Sequence, residues 1–181
     1  ILPPLSVIWV IPADFGSTVH AGTILVDTTL GADAASIAAS PTGANGDLEC
    51  LFFYGNTGGD QAIDIELNDD TTATNYLTQS VEGAGASASA AATTATAGIR
   101  GLRGGGSASS LRNTALIWIH QEAAAQQKGV VCIGGWDTGV KIAVGRWTNT
   151  ADSVTKIEII PTSGNLASGS RLLVARRVNT P

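Results

Sequence analysis

The sequence predicts an all-β chain, an antiparallel sandwich or barrel formed as one domain. Three observations carry this. About nine short segments, most of them rich in Ile, Val, Leu and Trp, have the length and composition of strands, and the clearest of them alternate with period two. The connections between them hold Gly, Asn, Asp and Pro in turn-forming pairs. Helix-forming sequence is nearly absent, and 181 residues make one domain the default.

Taken in order, the first apolar segment is Val7 to Ile11, bracketed by Pro3, Pro4 and Pro12. The prolines hold its ends extended, so residues 1–12 are either an arm reaching to a neighbouring subunit or the first strand of the chain's own sandwich. Residues 13–181 then form the single domain. Thr23 to Thr28 and Leu48 to Tyr54 follow as strands, separated by Pro41-Thr42-Gly43 and Asn45-Gly46. Ile63, Ile65 and Leu67 face one way against Asp64 and Glu66.

The stretch Gly83 to Gly98 is uncharged and of low complexity, and a glycine cluster follows at Gly104 to Gly106. Residues 83–106 therefore read as an insert within the domain: a long exposed loop, either mobile or packed against another subunit. Beyond it come Thr114 to His120 and then Gln121 to Lys128, whose three alanines suit a helical turn or a loop. Gly129 to Ile133 is the next strand. Val140, Ile142 and Val144 then oppose Lys141, Ala143 and Gly145, before Thr155 to Ile160 and Arg171 to Val178. The expected core includes Ile65, Phe52, Trp118, Ile133, Ile142, Ile157 and Leu172.

Composition narrows the function. The chain holds 27 Ala, 22 Gly, 20 Thr and 14 Ser, and only 14% of residues are charged. Low hydrophobicity with high net charge, the signature of disorder, is missing. A net charge of −5 without a basic cluster gives nucleic-acid binding no support. No apolar run approaches the roughly 20 residues of a membrane-spanning helix. The first residues carry neither a basic region nor a cleavage site, so a secretory leader is not expected in them.

The search for chemistry yields no catalytic, cofactor-binding or metal-ligating residues to assign. His20 and His120 stand alone and read as surface or strand-end histidines. Cys50 and Cys132 lie in apolar runs without metal-ligand spacing; they read as buried thiols, with a single bridge between them left open. The turn Asn68-Asp69-Asp70 offers oxygen ligands, but the twelfth position of a calcium loop counted from Asn68 is Gln79, so a solvated turn is expected. Trp9 and Trp118 are assigned to the core. Trp136 and Trp147 stand at strand ends, where packing at the ends of a sandwich is favoured over exposure.

A resemblance adds to this reading. The run Gly145-Arg146-Trp147-Thr148-Asn149-Thr150-Ala151, the strand Val154 to Ile160, the turn Ser163-Gly164-Asn165-Leu166-Ala167-Ser168-Gly169-Ser170-Arg171 and the final strand from Leu172 resemble jelly-roll structural proteins of tailed-phage virions. Leu67 to Tyr76 and Leu116 to Ile119 are similar to earlier segments of the same proteins, while Thr72 stands where those have glycine. The resemblance implies a jelly-roll β-sandwich and a non-enzymatic virion protein of a bacteriophage that decorates or stabilises the capsid. No cofactor, no nucleic acid and no membrane are expected, from the charge, the apolar runs and the residue inventory above. By the resemblance, the chain's partners would be further copies of itself, a trimer being favoured, and virion proteins such as the major capsid protein. The alternative is a receptor- or glycan-binding module of a tail or head fibre, stacking sugars on Trp136, Trp147 or Tyr76.

Overall fold

A computed structural model describes residues 23–42, 46–94, 96–105, 113–121 and 126–177. The chain there is all-β, with β1 (Thr23–Thr29), β2 (Ile37–Ala39), β3 (Leu48–Tyr54), β4 (Gln61–Leu67), β5 (Tyr76–Ala84), β6 (Ser87–Thr94), β7 (Ile99–Gly104), β8 (Asn113–His120), β9 (Lys128–Trp136), β10 (Gly139–Trp147), β11 (Ile157–Pro161) and β12 (Arg171–Arg176). A single 3-10 turn, Ala73–Asn75, precedes β5. Among the described residues no helix is long and apolar enough to cross a membrane.

The strands form two antiparallel sheets. The large one runs β1-β12-β3-β8-β9-β10-β5-β6 and the small one β2-β11-β4-β7. One shared core fills the space between them. Ile37, Ile63, Ile65, Leu67, Ile99, Leu102, Ile157 and Ile159 come from the small sheet, and Leu48, Cys50, Phe52, Tyr54, Ile117, Ile119, Val130, Leu172 and Val174 from the large one. Phe52 and Tyr54, two residues apart on one face of β3, stack with ring centroids 4.4 Å apart. Tyr54 Oη donates to the Arg103 carbonyl at 2.5 Å, which ties the two sheets together at one end.

Strand positions follow the sequence closely at β1, β3, β4, β8, β10 and β12, where branched and aromatic residues mark them. Three expected core residues are displaced. Ile133 and Ile142 are 38% and 49% exposed, and Trp118 is half-buried; all three lie on the outer face of the large sheet. On β10 the inner face is instead Lys141, Ala143, Gly145 and Trp147. Close packing of the sheets is the reason. A Cβ on Gly145 would stand 2.8 Å from Ile99 Cγ2, and one on Gly101 would stand 2.6 Å from Cys132 Sγ. At Gly101 and Gly145 there is no room for a bulkier residue between the sheets, and on β10 the branched set Val140, Ile142 and Val144 faces outward.

The loop expected at 83–106 is also corrected. Its residues complete β5 and form β6 and β7, and Ile99 and Leu102 of β7 are fully buried. Gly85, with φ +58°, makes the tight turn between β5 and β6. Lys128, placed in a helical turn or loop by sequence, opens β9; residues 122–125, like the arm 1–12 and His20, lie outside the described residues.

The Ser163 to Arg171 turn does not join neighbouring strands of one sheet. It carries the chain from β11 in the small sheet to β12 in the large one. Leu166 anchors it, fully buried, exchanging backbone hydrogen bonds with Ala34 in both directions at 2.7 and 3.0 Å. Gly164 and Gly169 adopt positive φ, which glycine tolerates, and the Asn165 backbone pairs with Thr57.

Candidate functional site: the outer face of the large sheet

Strand pairing brings the outward side chains into rows that no single segment reveals. Leu173 of β12, Leu51 of β3, Leu116 of β8, Ile133 of β9, Ile142 of β10 and Val81 of β5 are successive cross-strand partners, and the row ends on Ala90 of β6. The adjoining rows add Trp118, Val131 and Val144 on one side and Phe53 and Val140 on the other. An antiparallel sheet ordinarily keeps one face solvated and polar. Here both faces are apolar.

The outer face is not uniform. Toward β12, β3 and β8 the side chains are long and shield one another, so Leu51, Leu116, Leu173 and Trp118 are half-buried. Toward β10 and β5 the shielding fails, leaving Val81 at 58%, Val144 at 56% and Val140 at 48% exposure. Beside them β6 contributes only Ala, Ser and Thr, and an open groove of about 480 Å³ lies between Val81, Ile142, Val144, Ala90 and Ala92. Charges bound this surface and also reach into it: Asp27 of β1 pairs with Arg171 of β12 at one edge, Arg146 and His120 stand at strand ends, and Glu49 of β3 is the cross-strand partner of Trp118. Contiguous exposed apolar surfaces of this extent are characteristic of interaction sites.

The four sheet edges also differ. β2 is three residues long, β7 carries Arg100 and Arg103, and β1 carries Asp27 and a bulge between Ile24 and Val26. Each is a recognised way of blocking further pairing. β6 has none of them. Its eight residues hold no charge and no proline, pair with β5 in unbroken register, and are exposed on both faces except for half-buried Thr93.

The candidate sugar-stacking rings are occupied otherwise. Trp147 and Tyr76 are fully buried and Trp136 is 7% exposed. Trp136 donates to Thr138 Oγ1 at 2.9 Å, and the Arg103 guanidinium lies over its ring at 5.8 Å. Trp147 Nε1 donates to Asp70 Oδ2 at 2.7 Å, and Tyr76 Oη bonds both the N–H and the carbonyl of Leu67. None of the three offers a free face for stacking.

The Asn68-Asp69-Asp70 turn proves to be a clasp. Asn68 and Asp69 adopt φ of 55° and 57° and Asp70 N donates to the Leu67 carbonyl at 3.0 Å, closing the chain reversal after β4. Asn68 Oδ1 accepts from the backbone of Thr155 and Lys156, and Asp70 accepts from Trp147, Asn75 and Thr72. Burial would push the Asp70 carboxyl up, but these donors outweigh it and bring it down to about 2. Segments 67–76 and 145–156, both part of the resemblance, thus meet in one hydrogen-bonded knot.

Carboxylates of Glu66, Asp69 and Glu158 gather beside it within 4.8 Å of one another. The Lys156 ammonium stands among them, bonded to Glu158 Oε2 at 2.9 Å and to Asp69, and these bonds raise its pKa above the ordinary lysine range. A protein cation therefore neutralises part of the cluster, while burial and the neighbouring carboxylates raise the pKa of Glu66.

Cys50 and Cys132 are both free and fully buried. Each pairs with Ile117 from opposite sides, so a whole strand separates them, roughly 9–10 Å between Cα atoms and too far for a bridge. Desolvation pushes the Cys132 thiol up to about 12 and raises Cys50 further, which leaves both unreactive. His120 lies at an exposed strand end with its Nδ1 2.8 Å from Asp47 Oδ1. No protein-family model, no curated protein and no solved structure matches this chain.

Proposed function

We propose that the chain is a non-enzymatic structural protein of a phage virion, a jelly roll that assembles with copies of itself, a trimer being favoured by the resemblance, and decorates or stabilises the capsid through contact with the major capsid protein. The observation that carries this reading is the apolar outer face of the large sheet, which a free monomer would leave in water. A face that crosses seven strands suits a permanent contact between subunits better than a small-molecule site.

The jelly-roll assignment rests on strand order. Setting aside the hairpins β5–β6 and β9–β10, eight strands remain, ordered β1-β12-β3-β8 and β2-β11-β4-β7. Consecutive strands of this set cross from sheet to sheet, except β4 to β7, which pair within the small sheet. First and last strands lie side by side, as in an eight-stranded double Greek key. The two added hairpins widen one sheet only, and both lie where the outer face is most exposed. Fold alone does not give function, and the virion assignment draws on the resemblance at residues 67–76 and 145–174.

The glycan-binding alternative loses its specific support, since the rings it needs are packed inside. Electron microscopy of intact particles tests the reading. The expected result is repeated density for this two-sheet domain on the shell. Particles whose protein inventory lacks the chain would overturn it.

A further inference from the structure

We infer that the open edge of β6 and the groove beside it receive a strand from a second copy of this chain, namely its N-terminal residues Leu5 to Ile11. The inference rests on the self-assembly part of the reading above and names the surface and the segment that perform it.

The receiving surface is defined by what it lacks. Of the four sheet edges, β6 alone among the described residues carries no charge, bulge or proline and is long enough to pair. An edge of eight residues presents about four outward N–H and about four outward C=O groups to a new strand. The groove alongside is uncharged and mainly apolar, bordered by Val81, Ile142, Val144, Ala90 and Ala92 with Gln79 and Ser80.

The donor is defined by what it has. Residues 1–22 lie outside the described part of the chain, and the first charge in them is Asp14. Val7-Ile8-Trp9-Val10-Ile11 is the one run there of successive β-branched and aromatic residues. Laid beside β6, it would place Val7, Trp9 and Ile11 on one face and Ile8 and Val10 on the other. Either set extends the apolar rows of the outer face by one strand. Pro12 ends the strand, and Pro3 and Pro4 stop a longer one.

Reach favours a neighbour over the chain's own edge. The segment leads into β1, and β1 and β6 are the two opposite edges of the large sheet. Seven interstrand steps separate them, about 34 Å. Residues 12–22 span at most about 40 Å when fully extended, which leaves almost no slack to cross a twisted sheet. A second copy needs no such stretch.

Cysteine trapping in the full chain tests this. One preparation carries Ala90→Cys or Ala92→Cys on β6, and the other carries a single cysteine at Val7, Ile8, Trp9 or Val10; the native Cys50 and Cys132 stay in place because they are buried. Mixed and oxidised, at least one pair is expected to give a disulfide-linked two-chain species at least tenfold above either preparation alone. A third preparation carries both cysteines on one chain; linkage only within that chain, linkage of β6 variants with themselves, or no linkage at any pair would each overturn the inference. The light-scattering mass of the same samples separates this from the wider reading. An assembled but unlinked chain refutes the strand donor alone, and a single-chain mass refutes self-assembly as well.

Discussion

Replacing Ile142 by Asp places a charge at the centre of the outer face, between Ile133 and Val81. Full burial of a large aliphatic side chain is worth about 1.5–3 kcal/mol, and Ile142 is 49% exposed, so covering the rest contributes about 1 kcal/mol. An aspartate in its place must be desolvated as well, which adds a few kcal/mol. Association should weaken by about 3–5 kcal/mol, roughly a hundred- to several-thousandfold in Kd. The isolated fold should lose only about 1 kcal/mol, the scale of a strand-propensity change at an exposed site. Sedimentation equilibrium measures the first quantity and urea unfolding of the dissociated chain the second. The reasoning is refuted if association stays within threefold of the parent while folding stability drops by about 3 kcal/mol or more, since that result would put Ile142 in the core.

Three further outcomes are expected. Gly145→Ala should destabilise the fold by about 1–3 kcal/mol because its Cβ meets Ile99 and the Leu77 carbonyl, whereas Val140→Ala on the outer face should cost less than about 1 kcal/mol; urea titrations that reverse this order would reverse the assignment of the β10 faces. Asp70→Ala should cost about 1–3 kcal/mol by stranding the Trp147 N–H; because the folded Asp70 pKa is depressed to about 2, its contribution is complete above about pH 4 and is lost as pH falls toward 2, so melting curves of the parent should show an acid decline that the variant lacks in part. A thiol reagent should leave Cys50 and Cys132 unmodified in the native chain and label both in denaturant, with equal mobility on reducing and non-reducing gels.

How much of this was legible in the sequence depends on what each segment had to signal with. β3 reads as a strand because Leu48, Cys50, Phe52 and Tyr54 form one buried stripe, and the structure places it at the residues expected. On β10 the alternation is equally clear, but period two says only that Val140, Ile142 and Val144 share a face. Which face is inside was decided by close approaches between the sheets, Gly145 to Ile99 and Gly101 to Cys132, invisible from β10 alone. β6 and β7 were hidden for opposite reasons. Ser87 to Thr94 has neither bulk nor periodicity, and it is a strand because β5 supplies every partner. In β7, glycines and arginines interrupt Ile99 and Leu102, yet both are buried where β4 and the large sheet enclose them. The candidate site was illegible for the same kind of reason: its central row draws one residue from each of seven strands, and only the register aligns them.

The central claim, that the large sheet's outer face is an assembly surface, is tested most directly by the mass of the unmodified full chain in solution, followed by light scattering from high to low micromolar concentration. The account predicts a defined multiple of the single-chain mass, three copies being favoured, that persists through dilution. A single-chain mass at every concentration, with Val81, Val140, Ile142 and Val144 left in water, would contradict it.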